Sequence, residues 1–155
     1  MSESINQVTL ALELIVTFSG VFLAFMLDRV IDWRKEQQSK TELLKNISCE
    51  LNELKKSLIG DVYRLYPDVW DSAIASGKLD LLNSEQLKKL TNVYRKIKGT
   101  DYEAVRVRDA KEAYNQTGSN DAANNWSILS KAHKIRMEET KTLIDEVLKE
   151  LGLSS

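Results

Sequence analysis

Apolar residues crowd one end of the chain and then thin into a helical rhythm. No charge occurs from Leu14 to Leu27, and with Val8–Glu13 added the run reaches 20 residues, interrupted only by Glu13. At about 1.5 Å per helical residue that is roughly 30 Å, the thickness of a bilayer's hydrocarbon core. No Lys or Arg precedes the run and no small-residue cleavage site comes after it, so it does not read as a secretory signal. Nor does a domain of this size readily enclose a helix that is apolar on nearly every side. The pattern predicts a membrane span. Arg29, Arg34, Lys35 and Lys40 lie just beyond it, and the positive-inside rule then puts the N-terminus outside and the rest in the cytoplasm. Trp33 stands where an aromatic anchor meets the headgroups.

Within the span, Glu13, Thr17, Gly20, Ala24 and Asp28 follow at spacings of 4, 3, 4 and 4, one narrow helical stripe. Gly20 and Ala24 form a small-xxx-small pair that permits close helix approach, and Thr17 can hydrogen-bond across such a contact. An ionisable group in a span faces other helices or water, or else snorkels to the interface. The stripe of Glu13, Thr17, Gly20 and Ala24 predicts self-association.

No Gly or Pro occurs between Gly20 and Gly60, so the span is expected to continue as one long helix. Leu44, Ile47, Leu51, Leu54 and Leu58 then repeat at 3, 4, 3, 4, a seam that serves a coiled coil between chains, a core within one, or both. "LYPDVWDSAIASGKLD" reads as a short helix opened by Pro67 in its first turn and closed by Gly77. Asn83 and Gln86 form a capping box for a helix expected to stop at Gly99, and Thr100 and Glu103 restart the next. A polar loop is expected over Gln116–Asp121. From Ala122 a last helix runs to Gly152, with Trp126, Leu129, His133, Thr140, Ile144, Val147 and Leu151 on its packing side and the first helix as antiparallel neighbour. No alternation marks a strand. The expected architecture is all-α, an N-terminal transmembrane helix continuing into a cytosolic helical domain. Its boundaries are 1–28 for the span, 29–60 for the connector and 61–155 for the ligand-binding part.

Charge and chemistry narrow the function. All 22 Lys and Arg lie from Arg29 onward, against 20 acidic residues in the same stretch, so the chain is no polycation for coating DNA. Cys49 and His133 are the single cysteine and histidine, which leaves no nucleophile–base pair, no metal-ligand spacing and no phosphate loop. An enzyme, a metal and a cofactor are therefore not expected. What remains is a cationic bias towards the C-terminal half. Arg106, Arg108, Lys111, Lys131, Lys134 and Arg136 can contact phosphates, while Asn125 and His133 can address a base. The bland alternative is a set of solubilising helix faces.

Two resemblances bear on these residues. Over 8–98, "MLDRVIDWRKEQQSKTELLKNISCELNELKKSL" followed by "VWDSAIASGKLDLLNSEQLKKLTNVYRKI" is similar to a broad group of uncharacterised bacterial membrane proteins. In overall plan, and in "DAANNWSILSKAHKIR", the chain resembles the small membrane-bound effectors of type III CRISPR antiviral defence. That resemblance implies a homotetramer in the bacterial inner membrane that binds cyclic tetra-adenylate and passes the signal to its membrane part, disrupting the membrane or opening a channel. Two other readings stand beside it: a single-pass scaffold acting through its coiled connector without a nucleotide ligand, and a constitutive channel subunit built on the Glu13 stripe.

Overall fold

The computed structural model describes residues 2–58 and 66–153, and of residues 2–14 the backbone alone. The protein is all-α. Helix α1 (Ser2–Ser57) is followed by α2 (Asp68–Ala75), a 3-10 turn over Lys78–Leu81, α3 (Ser84–Thr117) and α4 (Asn120–Glu150), and no strand occurs among the described residues. Two compact units result, residues 1–40 and 41–155, so the last third of α1 belongs with the later helices.

The absence of Gly and Pro after Gly20 lets α1 run without a break, as expected. In the first unit every large apolar side chain from Ile15 to Trp33 is exposed, by 47% at Val30 to 71% at Phe18. Among the described residues, however, no helix is long and apolar enough to cross a membrane. The uncharged stretch with described side chains is only Ile15–Leu27, and beyond it Asp28, Arg29 and Asp32 break the apolar run. The first part of the expected span, residues 8–14, lies outside the described side chains.

The second unit is a long α3–α4 hairpin with the end of α1 laid against its open end. Leu43, Ile47, Leu51, Leu54 and Leu58 of α1 are buried with Leu90, Val93, Tyr94 and Ile97 of α3 and Ile144, Val147 and Leu148 of α4. The expected seam is thus consumed inside the chain, with Leu43 buried more deeply than Leu44, and it is not left for a coil between copies. The Ser48 hydroxyl donates to the Leu153 carbonyl at 3.1 Å, and Lys55 meets Asp145 at 2.6 Å. Residue numbers rise along α1 as they fall along α4, so these helices are antiparallel neighbours, as the pattern predicts.

Local signals set most helix ends. Asn83 accepts from the Gln86 amide at 2.8 Å and the Gln86 side chain accepts from the Asn83 amide at 3.2 Å, which completes the capping box. Gly77, at φ 69°, turns the chain after α2 in the left-handed region where a Cβ would be strained. One expected boundary is wrong: α3 does not stop at Gly99 but continues through it to Thr117. A mid-helix glycine costs only about 1 kcal/mol. Here Thr100 offsets it, bonding back to the Lys96 carbonyl at 3.0 Å and across to the Thr140 hydroxyl at 2.8 Å. The expected loop over Gln116–Asp121 also shrinks to Gly118 and Ser119. Gly118 ends α3 at φ 58°, and the Ser119 side chain at once caps α4 by accepting from the Ala122 amide at 3.2 Å.

Candidate functional site

Three cross-hairpin contacts define the register of α3 on α4. Thr100 meets Thr140, Glu103 meets Arg136 at 2.9 Å, and Tyr114 stacks on Trp126 with ring centroids 5.7 Å apart. The residue numbers of these three pairs add to 239 or 240, so beyond Thr100 a residue of α3 can be placed level with one of α4. Towards the base the hairpin packs on α1. Beyond Thr100 it is held by its own narrow seam, in which Ala104, Val107 and Ala110 are buried and Trp126 and His133 half-buried. His133 and Trp126 thus lie on the packing side, as the periodicity requires.

All eight candidate ligand residues sit on this outer part of the hairpin, and the structure sorts the cations among them into two groups. Three are already engaged. Arg136 pairs with Glu103, Arg108 reaches Asp109 at 3.3 Å and Glu112 at 3.9 Å on its own helix, and Lys111 lies 5.9 Å from the Trp126 ring centroid. The Arg136 and Lys111 contacts cross between α3 and α4, while those of Arg108 stay within α3. Arg106, Lys131 and Lys134 are exposed, with no carboxylate in ion-pair range among the described residues, and Asn125 is exposed on the same arm. Arg106 stands on the outer side of α3, and Lys131 and Lys134 on the side of α4 turned away from α3. Of the three, the open groove beside α4 includes Lys134 alone.

One cavity includes a candidate residue, and a second lies away from the candidates, between α1 and the start of α2. The first, an open groove of about 880 Å³ between α3 and α4, includes Lys134 and Lys96, but Lys96 is paired with Glu139 and the wall also carries Glu138 and Glu146, so carboxylates outnumber cations there. A second, of about 430 Å³, is bounded by Asn46, Cys49, Glu50, Glu53 and Asp68, and is acidic as well. The described residues contain no group of three or more His, Cys, Asp or Glu placed to hold a metal ion.

In the stripe expected of a span, Thr17, Gly20 and Ala24 are exposed, and a Cβ added at Gly20 would meet nothing within 4 Å. Glu13 lies outside the described side chains.

Pattern reasoning missed the polar knot of the bundle. Glu50, 7% exposed, accepts from the Val69 amide at 2.5 Å and the Trp70 amide at 3.3 Å, standing in for the absent N-cap side chain of α2. It also accepts from the Tyr94 hydroxyl at 2.5 Å, while Trp70 stacks on Tyr94 at 4.4 Å. Burial, then the hydrogen bond and charge of Glu50, push the Tyr94 hydroxyl's pKa far up. The only trace in the sequence is an acid adjoining the Ile47–Leu51–Leu54 face. Both Glu50 oxygens and the Tyr94 hydroxyl are hydrogen-bonded, so this knot holds the fold together.

Compared with family models, with characterised proteins and with solved structures, the chain matches none.

Proposed function

We propose that the chain is a single-pass membrane effector, anchored through residues 8–27, whose helical bundle receives a cyclic oligoadenylate between copies. The observation that carries the anchor is the uncovered apolar surface of α1 from Ile15 to Trp33. The described part of the second unit already has a core of its own, so this surface suits another environment. The energetics agree. Each Leu, Ile, Phe or Val contributes about −0.3 to −0.6 kcal/mol at a span's centre, and Ile15–Leu27 holds eight of them. An ionisable residue at the centre costs about 2.5–3.5 kcal/mol, and Glu13 sits near the outer end, where the cost falls. The proposed placement is the bacterial inner membrane, N-terminus outside and bundle in the cytoplasm.

The ligand rests on the resemblance to type III CRISPR effectors and on one feature of the hairpin. Arg106 and Lys134 add to 240, so they stand at one height on different sides of the arm, both without carboxylate partners among the described residues. Copies arranged around an axis parallel to the arm bring these cations together at each junction. A cyclic tetra-adenylate, with four phosphates, suits a homotetramer of such junctions. The scaffold reading loses ground because its coiled connector is spent on the chain's own core.

Alkaline carbonate extraction of vesicles tests the anchor: the full chain stays with the lipid, and release into the supernatant overturns the span. Titrating the membrane-bound protein with labelled cyclic tetra-adenylate tests the ligand. Saturable binding that Arg106→Ala weakens at least tenfold is expected, and no wild-type binding leaves an anchored scaffold or channel subunit.

A further inference from the structure

The outer part of the hairpin presents two helix faces that its own seam does not use. On α3 the positions Tyr102, Arg106, Asp109 and Ala113 recur at spacings of 4, 3 and 4. On α4 Ile128, Lys131, Ile135 and Glu138 do the same at 3, 4 and 3. These faces hold the most exposed large apolar side chains of the outer hairpin, Tyr102 at 68%, Ile128 at 67% and Ile135 at 62%. A helix pair that supplies its own core has no use for them.

The hairpin register shows what each face matches. Tyr102 is within one helical turn of the height of Ile135, Asp109 is level with Lys131, and the small Ala113 is level with the bulky Ile128. Each pair lies on different faces of one chain and cannot close within it. We infer that the Tyr102–Asp109 face of α3 in one copy docks on the Ile128–Ile135 face of α4 in a second copy, head to tail.

Shape and charge both favour this occupant. Tyr102 covers Ile135, and Ala113 leaves room for Ile128. Lys131, which has no carboxylate of its own among the described residues, reaches Asp109, whose present partner is the neighbouring Arg108 at 3.3 Å. Glu138, at the lower edge, is already held by Lys141 at 2.6 Å. Because heights match without a vertical shift, successive copies are related by rotation about an axis parallel to the arm, and all point the same way. Such contacts are heterologous and close into a ring when the rotation divides a full turn. Between the Tyr102–Ile135 and Asp109–Lys131 contacts, Arg106 of one copy then stands beside Lys134 of the next. Two uncompensated cations there call for a bridging anion, which deepens the nucleotide reading and rests on it, whereas the contact itself rests on the bundle's surface alone. The patch is small, so it is weak unless the copies share a membrane, where tethering raises their effective concentration.

Cysteine cross-linking of the full chain in membranes, without nucleotide and with Cys49→Ser as background, tests the contact. Tyr102→Cys combined with Ile135→Cys is expected to give a ladder of disulfide-linked species on oxidation, while either substitution alone gives none. Both positions are exposed, so the fold is retained, as helicity by circular dichroism will show. Without cysteines at these sites, Asp109→Lys should lower the yield of lysine-independent photo-cross-linked oligomer by roughly two- to fivefold, and adding Lys131→Glu should restore it. No ladder from the double cysteine variant, dimers from Ile135→Cys alone, or a charge-reversed pair no better than the single reversal would each overturn the docking. Failure of nucleotide binding with the ladder intact would overturn the ligand and leave the contact standing.

Discussion

The Tyr94 hydroxyl donates to the Glu50 carboxylate at 2.5 Å, joining α3 to α1 in the bundle's interior. The same carboxylate caps α2, so one acid ties three helices together. Hydrogen bonds to a charged group contribute about 1.5–3 kcal/mol, and Tyr94→Phe should lower stability by that much in denaturant titration. The pH profile should change as well. An unfolded tyrosine ionises near 10.0, whereas folded Tyr94 keeps its proton well above that. Stability is therefore full below pH 10 and falls as pH rises beyond it, because the unfolded state then binds fewer protons. In Tyr94→Phe the part of that alkaline fall owed to this residue should vanish; an unaltered profile would mean the hydroxyl is not held as described.

Thr100 and Thr140 share a hydroxyl–hydroxyl bond in a site where both are almost completely buried. Replacing one with Val leaves the other hydroxyl without this partner, and each single variant should lose about 1–2 kcal/mol. Replacing both removes the polar pair together and should cost less than the sum of the singles. A double-mutant cycle on thermal unfolding reads the coupling, and strict additivity would argue against the bond.

Lys96 and Glu139 pair across the hairpin at 2.6 Å. The hydrogen bond and positive charge of Lys96 hold the Glu139 carboxyl below its ordinary 4.5. A depressed carboxyl stabilises the fold above pH 4.5, and that contribution is lost as pH falls through the folded value. Carboxyl-selective NMR titration should give Glu139 a midpoint under 4.5 that moves back towards it in Lys96→Met. Because the pair is exposed, 0.5 M salt should narrow the difference.

In the first unit, a Cβ added at Gly20 meets nothing within 4 Å among the described residues, so Gly20→Leu should leave the helix intact. If copies approach along Thr17, Gly20 and Ala24, the bulk that Gly20→Leu adds should weaken self-association in lipid, while Phe22→Leu should not. Energy transfer between labelled chains at fixed protein-to-lipid ratio distinguishes them. Equal transfer in both variants would remove this stripe from any contact.

The sequence by itself determined whatever depends on a few neighbouring residues. The Asn83–Gln86 box, the Pro67 and Gly77 limits of α2 and the unbroken α1 were legible because caps and turns are settled within about four residues. The 3–4 rhythm of Ile47, Leu51, Leu54 and Leu58 likewise showed that a face would be buried. It could not say against what, since a coiled coil and a core demand the same spacing; the tertiary structure decided for the core. Gly99 carried a true local stop signal, overridden by a hydroxyl forty residues away at Thr140. Arg136 read as a free cation until the fold set Glu103 beside it, whereas the pair of Arg108 with Glu112, four residues on along the same helix, was legible in the spacing. Burial, pairing and charge compensation depend on contacts between distant segments, and a helical sequence specifies its faces long before it specifies what they meet.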